Sequence, residues 1–139
     1  MNLRTMISHP RFLPRLLCVD ALASGATAVL LLAAADVLSP WLGLPAGLLR
    51  GAGIVLVPFV LWLLALSRQP APSGPAMSVV VAINLAWVAG SVWVAFGGTW
   101  KPGTLGIAFV CAQALVVLAF AELGWSGLRA SRAPRAANA

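Results

Sequence analysis

Residues 16–41 read LLCVDALASGATAVLLLAAADVLSPW, an almost wholly apolar stretch that nevertheless carries two carboxylates, Asp20 and Asp36. This stretch exceeds the roughly 20 helical residues that cross a hydrocarbon core of about 30 Å. Over the whole chain, 61% of the residues are hydrophobic. Only 9% are charged, whereas soluble proteins average about 25%. The composition therefore predicts an integral membrane protein.

Four stretches of the chain are long and apolar enough to span a bilayer. They are predicted at about 14–37, 48–67, 77–97 and 104–125. The proline-rich segment SRQPAPSGP, residues 67–75, breaks the middle pair apart. Because lipid offers no hydrogen bonds to the backbone, and because these stretches are too long for barrel strands, the spans must be helices. We predict one all-α domain, a bundle of four transmembrane helices, between a basic N-terminal segment, 1–13, and a basic tail, 126–139.

The basic residues predict the orientation of the bundle. Arg50 and Lys101 fall on one side of the predicted membrane, and the other seven basic residues fall on the opposite side. Those seven are Arg4, Arg11, Arg15, Arg68, Arg129, Arg132 and Arg135. Since cytoplasmic loops carry the excess of Lys and Arg, both termini should be cytoplasmic and the protein should lie in a cell inner membrane. The bias also accounts for the basic pI, so we expect anionic lipids at the termini and no nucleic acid.

The two carboxylates of the first helix should differ in their surroundings. They are sixteen residues apart, which corresponds to about 24 Å along a helix, so each is expected near one membrane face. Asp36 lies just before Ser39, Pro40 and Trp41, where it can reach the periplasmic headgroups. Asp20 lies deeper, on a face of small and polar side chains, and a short carboxylate at that depth needs a partner within the bundle.

Two interpretations of Asp20 are open from the sequence. One is an ion pair with an arginine, bridged by Asn84, which would be purely structural. The other is a cytoplasm-facing pocket in which Asp20 and Glu122 bind a cation or a cationic head group. The candidate polar pocket comprises Asp20, Asn84, Glu122, Arg15, Arg68 and Arg129.

The remaining residues supply little chemistry. His9 is the one histidine, and no C-x-x-C, G-x-S-x-G or H-x-x-x-H motif occurs. We therefore predict no enzymatic activity, no cofactor and no metal. Three tryptophans, Trp41, Trp100 and Trp125, fall at predicted helix ends and are expected to anchor the protein at the membrane interface.

Two classes of function follow. Small residues at Ala21, Gly25 and Ala28, and at Gly90, favour a non-catalytic protein that associates with itself or serves as an accessory or scaffold component of a larger membrane complex. The alternative is a small oligomeric transporter or channel built around the Asp20 and Glu122 pocket.

The chain also shows a faint internal repeat. SPWLGLP, residues 39–45, follows the first span and GTWKPG, residues 98–103, follows the third, which predicts two tandem helical hairpins. The triplet Ser39-Pro40-Trp41 resembles the SPW repeat of small bacterial membrane proteins. DALASGAT, LLRGAG, NLAW and AFAELGWSGLR are similar to segments of small four-helix bacterial membrane proteins of uncharacterised function. Neither resemblance implies an activity or a set of functional residues.

Overall fold

The computed structural model describes residues 2–137, with side chains through residue 133, and every regular element in that range is a helix. The elements are α1 (Leu3–Ile7), α2 (Phe12–Leu42), α3 (Ala46–Ser67), α4 (Gly74–Phe96) and α5 (Thr104–Ala137). The four long helices each contain an 18-residue window of mean hydropathy between 2.1 and 2.3. The chain is therefore a multi-pass integral membrane protein, and the predicted four-helix fold is confirmed.

Helix α2 extends beyond the predicted end of the first span and includes Pro40 and Trp41 in its last turn. It ends at Gly43, whose φ of 66° lies in the left-handed region that glycine adopts without strain. The Gly43 N–H donates to the Ser39 carbonyl at 2.9 Å. This capping turn, rather than the proline, terminates the helix.

Helix α4 begins three residues before its predicted range and ends one residue before the predicted end, and α5 extends twelve residues beyond its predicted end. The Ser73 hydroxyl accepts a hydrogen bond from the Ala76 N–H at 3.3 Å, and Pro75 lies in the first turn, where proline is tolerated. Helix α5 continues through most of the predicted basic tail to Ala137. Leu128, in the part of α5 that the sequence assigned to the tail, is buried against the other helices and extends the packed face of the helix.

The closest helix packing lies within each consecutive pair, α2 with α3 and α4 with α5, which matches the two predicted hairpins. Helix α2 also packs along α5 and joins the hairpins. At this junction the Gly103 N–H donates to the Leu42 carbonyl at 3.1 Å, and a side chain at Gly106 would collide with the same carbonyl. Helices α3 and α4, although consecutive, make hardly any close backbone contact with each other, so a cleft lies between their backbones. Side chains of both helices nevertheless belong to one apolar cluster near the start of α4.

Two apolar clusters hold the bundle together. The terminal cluster lies near the start of α2 and consists of Leu17, Ala21, Leu63, Leu66, Met77, Val80 and Leu128. The distal cluster lies toward the opposite end and consists of Ala28, Leu31, Ala35, Leu42, Leu44, Leu49, Leu56, Ala95 and Val110. The buried polar residues Asp20, Ser24, Asn84 and Ser91 lie in and around the zone between the two clusters.

Candidate binding site

Asp20 is the centre of a buried hydrogen-bonded cluster that joins α2 to α4. Its side chain is only 2% exposed. The Ser24 hydroxyl, one helical turn further along α2, donates to Oδ1 at 3.0 Å, and the Asn84 amide nitrogen donates to Oδ2 at 2.9 Å. Each carboxylate oxygen therefore has one donor, and the expected association of Asp20 with Asn84 is present.

The cluster lies deeper than the sequence suggested. Asn84 is near the middle of the 23-residue α4, because that helix begins at Gly74 rather than at residue 77. Asp20 bonds directly to Asn84 and so lies at the same level of the bundle. Asp20 is therefore level with the middle of α4, and its distance from a membrane face stays a prediction.

The predicted ion pair of Asp20 with an arginine is not formed. Among residues 2–133 the one ion pair joins Arg50 to Asp36, whereas Arg15, Arg68 and Arg129 have exposed side chains and pair with no carboxylate. Arg15 precedes Asp20 by five positions, which places the two side chains about 140° apart around α2. Long arginine side chains at helix ends extend toward water rather than into the bundle. Asp20 thus has hydrogen-bond donors but no cationic partner in the described part of the chain.

Glu122 does not join Asp20 in a pocket. Its neighbour Ala121 is 1% exposed and faces the core, so Glu122, rotated by about 100° on the helix, lies on the outer face of α5 and is exposed. Neither carboxylate lines either of the two cavities described below, or a third cavity beside the N-terminal segment. The structure therefore does not bring Asp20 and Glu122 together in one pocket.

A second polar cluster, between α4 and α5, involves a residue that the sequence analysis did not include in the site. The Trp87 indole N–H donates to Gln113 Oε1 at 2.8 Å, and Gln113 Nε2 donates to the Ser91 hydroxyl at 3.0 Å. Asn84, Trp87 and Ser91 follow one another at helical spacing on one face of α4. This spacing was visible in the sequence, but the glutamine that completes the cluster comes from another helix.

Two adjoining cavities occupy the zone around these clusters. The first has a volume of about 180 Å³ and is lined by residues of all four long helices, among them three aromatic side chains and four polar ones. Those residues are Phe59, Trp87 and Phe120, with Ser24, Thr27, Asn84 and Gln113. The second, of about 410 Å³, is walled mainly by leucine, valine, alanine and phenylalanine. Five residues line both cavities: Thr27, Val55, Ile83, Trp87 and Gln113.

The second cavity opens at the cleft between α3 and α4. Val55 of α3 and Ile83, Ala86 and Gly90 of α4 line it and are also exposed at the outer surface of the bundle. In a spanning bundle this surface faces the hydrocarbon of the bilayer.

Comparison of the chain with protein-family models, with curated proteins and with solved structures finds no match. The resemblance to the SPW repeat and to small four-helix bacterial proteins accordingly stays a prediction. Within the described residues no group of three His, Cys, Asp or Glu side chains lies close enough to hold a metal ion. The cavities and their polar side chains are therefore the features of the structure that indicate a function.

The remaining residues singled out by sequence lie outside the cavities. Trp41 is 67% exposed in the last turn of α2, and Trp100 is partly buried in the connection before α5, packed against the distal cluster. Trp125 is exposed on α5, within the helix rather than at its end. The interfacial role of the three tryptophans therefore stays a prediction.

The small residues of α2 are used inside the bundle. Ala21 and Ala28 are buried, and a side chain added at Gly25 would meet Val60 of α3 at 3.5 Å. They allow α2 and α3 to approach closely and are covered in the monomer. Gly90 differs, because a side chain there would meet nothing within 4 Å.

Proposed function

We propose that this protein is a non-catalytic membrane protein that takes an amphiphilic molecule from the bilayer into the two adjoining cavities. The observation that carries the proposal is the change in the residues that line the two cavities. An apolar cavity opens at the cleft and leads to a smaller one with aromatic and polar walls. Ligand sites are typically concave and mostly apolar, with a few polar groups that fix orientation.

The apolar tail of such a ligand would occupy the second cavity, between leucine and valine side chains of α3, α4 and α5. The head group would reach the first cavity, where Asn84 and Gln113 provide amide groups. Burying the tail here gives little advantage over lipid, since both surroundings are apolar. The polar and aromatic contacts of the head must therefore supply the selectivity.

Bromine quenching of Trp87 fluorescence tests this proposal, because Trp87 lines both cavities. The probe is decyl alcohol brominated at its terminal carbon, added to protein in zwitterionic nanodiscs. A variant that keeps only Trp87, with the other five tryptophans replaced by Phe, should show saturable quenching. A matched variant that keeps only Trp41, which is exposed and outside the cavities, should show quenching that rises linearly with partitioning.

A variant that fills the second cavity supplies the second control. Gly90→Leu adds a side chain where the backbone has open space, so the helix itself should be unharmed. In the Trp87-only background it should abolish the saturable component. Quenching that rises linearly with probe concentration in the Trp87-only variant, with Gly90 unchanged, would contradict the proposed function.

Self-association is the second candidate, and it is favoured by an exposed line of small residues on α4. Ala82, Ala86 and Gly90 follow at intervals of four residues and all are exposed, a spacing that lets two helices approach closely. Two of these residues also line the second cavity, so a partner helix there would compete with the ligand. Cross-linking in nanodiscs at low protein density should then be reduced by the brominated alcohol.

Transport of the same ligand is the alternative use of the cavities and would require an oligomer or a second conformation. Flux of the brominated alcohol cannot be followed, since it crosses lipid unaided. A membrane-impermeant permanently charged analogue in liposomes is the suitable probe. Uptake that depends on the protein would favour transport, and binding without uptake would favour an accessory role.

A further inference from the structure

Building on the proposed function, we infer that the ligand is an organic cation with an apolar tail, such as an alkylammonium, and that Asp20 supplies its counter-charge. The inference names the head group that the first cavity selects. It depends on three independent features of the site: the position of the carboxylate, the direction of the hydrogen bonds, and the aromatic walls.

The first feature is a buried carboxylate one hydrogen bond behind the cavity wall. Ser24 and Asn84, the two residues that donate to Asp20, both line the first cavity. Among the described residues no arginine, lysine or histidine lines either cavity. A carboxylate away from water is stable only when it is neutralised by a proton or by a nearby cation. A bound cation would serve as the counter-ion of Asp20, a role that no described side chain fills.

The second feature is that the hydroxyl and indole protons around the first cavity are already donated to other groups. Ser24 donates to Asp20, and Thr27 donates to the Ala23 carbonyl at 3.0 Å. The Trp87 N–H donates to Gln113. The hydroxyl oxygens therefore offer lone pairs to the cavity rather than protons. Acceptors suit a cation, whereas an anionic head group would find only the second amide N–H of Asn84 and of Gln113 as donors.

The third feature is the aromatic content of the walls. Phe59, Trp87 and Phe120 come from three different helices and line the first cavity together. The faces of aromatic rings attract ammonium groups, most strongly when water is excluded, and such walls are a common means of recognising quaternary ammonium ions. A volume of about 180 Å³ restricts the head to a small group, while the tail would extend into the larger cavity.

The net charge of the protein makes this selectivity informative. The chain carries a formal charge of +6 and has only three acidic residues, Asp20, Asp36 and Glu122. Asp36 and Glu122 are exposed and line neither cavity. Any preference for a cation that comes from a carboxylate must therefore arise at Asp20, and each acidic residue can be neutralised separately in a single variant.

The test compares three decyl probes brominated at the terminal carbon: the trimethylammonium, the alcohol and the sulfate. Quenching is measured for the Trp87-only protein in zwitterionic nanodiscs. The quenching of the Trp41-only protein is subtracted from it, because this control reports how much of each probe has partitioned into the lipid. The ammonium should bind roughly tenfold or more tightly than the alcohol, and the sulfate more weakly than either. These measurements on the unaltered site need no substitution at Asp20.

Three matched variants then locate the preference. Asp20→Asn preserves the size of the side chain and should remove the preference for ammonium while alcohol binding is retained. Asp36→Asn and Glu122→Gln should leave the preference intact. If the alcohol fails to bind saturably, the proposed function is wrong. If the alcohol binds but the ammonium has no advantage, or if the advantage survives in Asp20→Asn, the inference about Asp20 is wrong and the cavity function stands.

Discussion

Two carboxylates on the same helix, Asp20 and Asp36, have opposite environments. Asp36 pairs with Arg50 at the surface, where the side chains are 77% and 45% exposed. Asp20 is buried, has no cationic partner among the described residues and accepts two hydrogen bonds from uncharged side chains. The comparison teaches that the cationic partner lies beside the exposed carboxylate and is missing beside the buried one, where a charge is costly. Exposed ion pairs contribute little to stability, whereas buried polar groups depend on every bond they make.

The largest effect should come from removing the amide that supports the buried carboxylate. Asn84→Leu takes the donor from Oδ2 of Asp20 and leaves that oxygen in apolar surroundings. Hydrogen bonds to charged groups contribute about 1.5–3 kcal/mol, so we expect a loss of roughly 2 kcal/mol or more. Reversible unfolding in mixed micelles measures it, with Arg50→Leu as the matched removal of the Asp36 partner. An equal loss from both would contradict the contrast between the two sites.

Removing the carboxylates themselves should give the next largest difference. Asp20→Leu leaves the buried Asn84 amide without its acceptor, at a cost of about 1–2 kcal/mol. Ser24 is affected less, because a helical serine can donate instead to the carbonyl four residues earlier. Asp36→Leu should cost less than about 0.5 kcal/mol. The two melting temperatures in one detergent provide the test.

The outcome for Asp20→Leu also bears on its proposed role. A variant more stable than the parent protein would show that the carboxylate destabilises the bundle, as ligand-binding groups commonly do. The comparison with Asp36 would then be reversed in sign, and the ligand role alone would account for Asp20. Identical melting temperatures for both leucine variants would contradict the burial of Asp20.

How far the sequence could lead is clear from these same residues. Four long apolar stretches were enough to predict the helices. Each span must be long and apolar enough by itself to cross the bilayer, so it can be recognised without knowledge of its neighbours. The depth of Asp20 and its small, polar face likewise predicted burial and the contact with Asn84. The burial follows from the spacing along one helix, whereas the contact with Asn84 was expected from its similar depth on another helix.

The partners across helices were harder to predict. Whether Asp20 meets an arginine depends on the rotation of α2 relative to its neighbours, and Arg15 points about 140° away. Glu122 lies on the outer face of α5 for the same reason, while Gln113 turns inward to Trp87. The two cavities lie where residues of α3 and α4 face each other without close backbone contact between the two helices. No spacing within a single helix encodes that cleft.

The second polar cluster should respond with an intermediate effect. Gln113→Leu leaves the Trp87 indole N–H without its acceptor, whereas Ser91 keeps its bond to the Trp87 carbonyl. Hydrogen bonds between membrane helices contribute about 0.6 kcal/mol on average and up to about 1.7, so we expect roughly 1 kcal/mol. This lies between the effects at Asn84 and Arg50. Trp87 fluorescence should also shift, and an unshifted spectrum with unchanged stability would argue against the bond.

The smallest effect should be found at the exposed pair. Arg50→Met removes the charge but keeps much of the apolar stem, and both partners are largely exposed, so we expect a loss of about 0.5 kcal/mol or less at low salt. Salt of about 1 M shortens the screening length to about 3 Å and should remove most of that difference. The loss caused by Asn84→Leu should hardly change with salt, because the Asp20 cluster is closed to solvent ions. Unfolding of both variants at low and high salt therefore distinguishes the two carboxylates by the size of the stability loss and by its dependence on salt. Similar salt sensitivity in both would mean that solvent ions reach Asp20, and that its site is as open as that of Asp36.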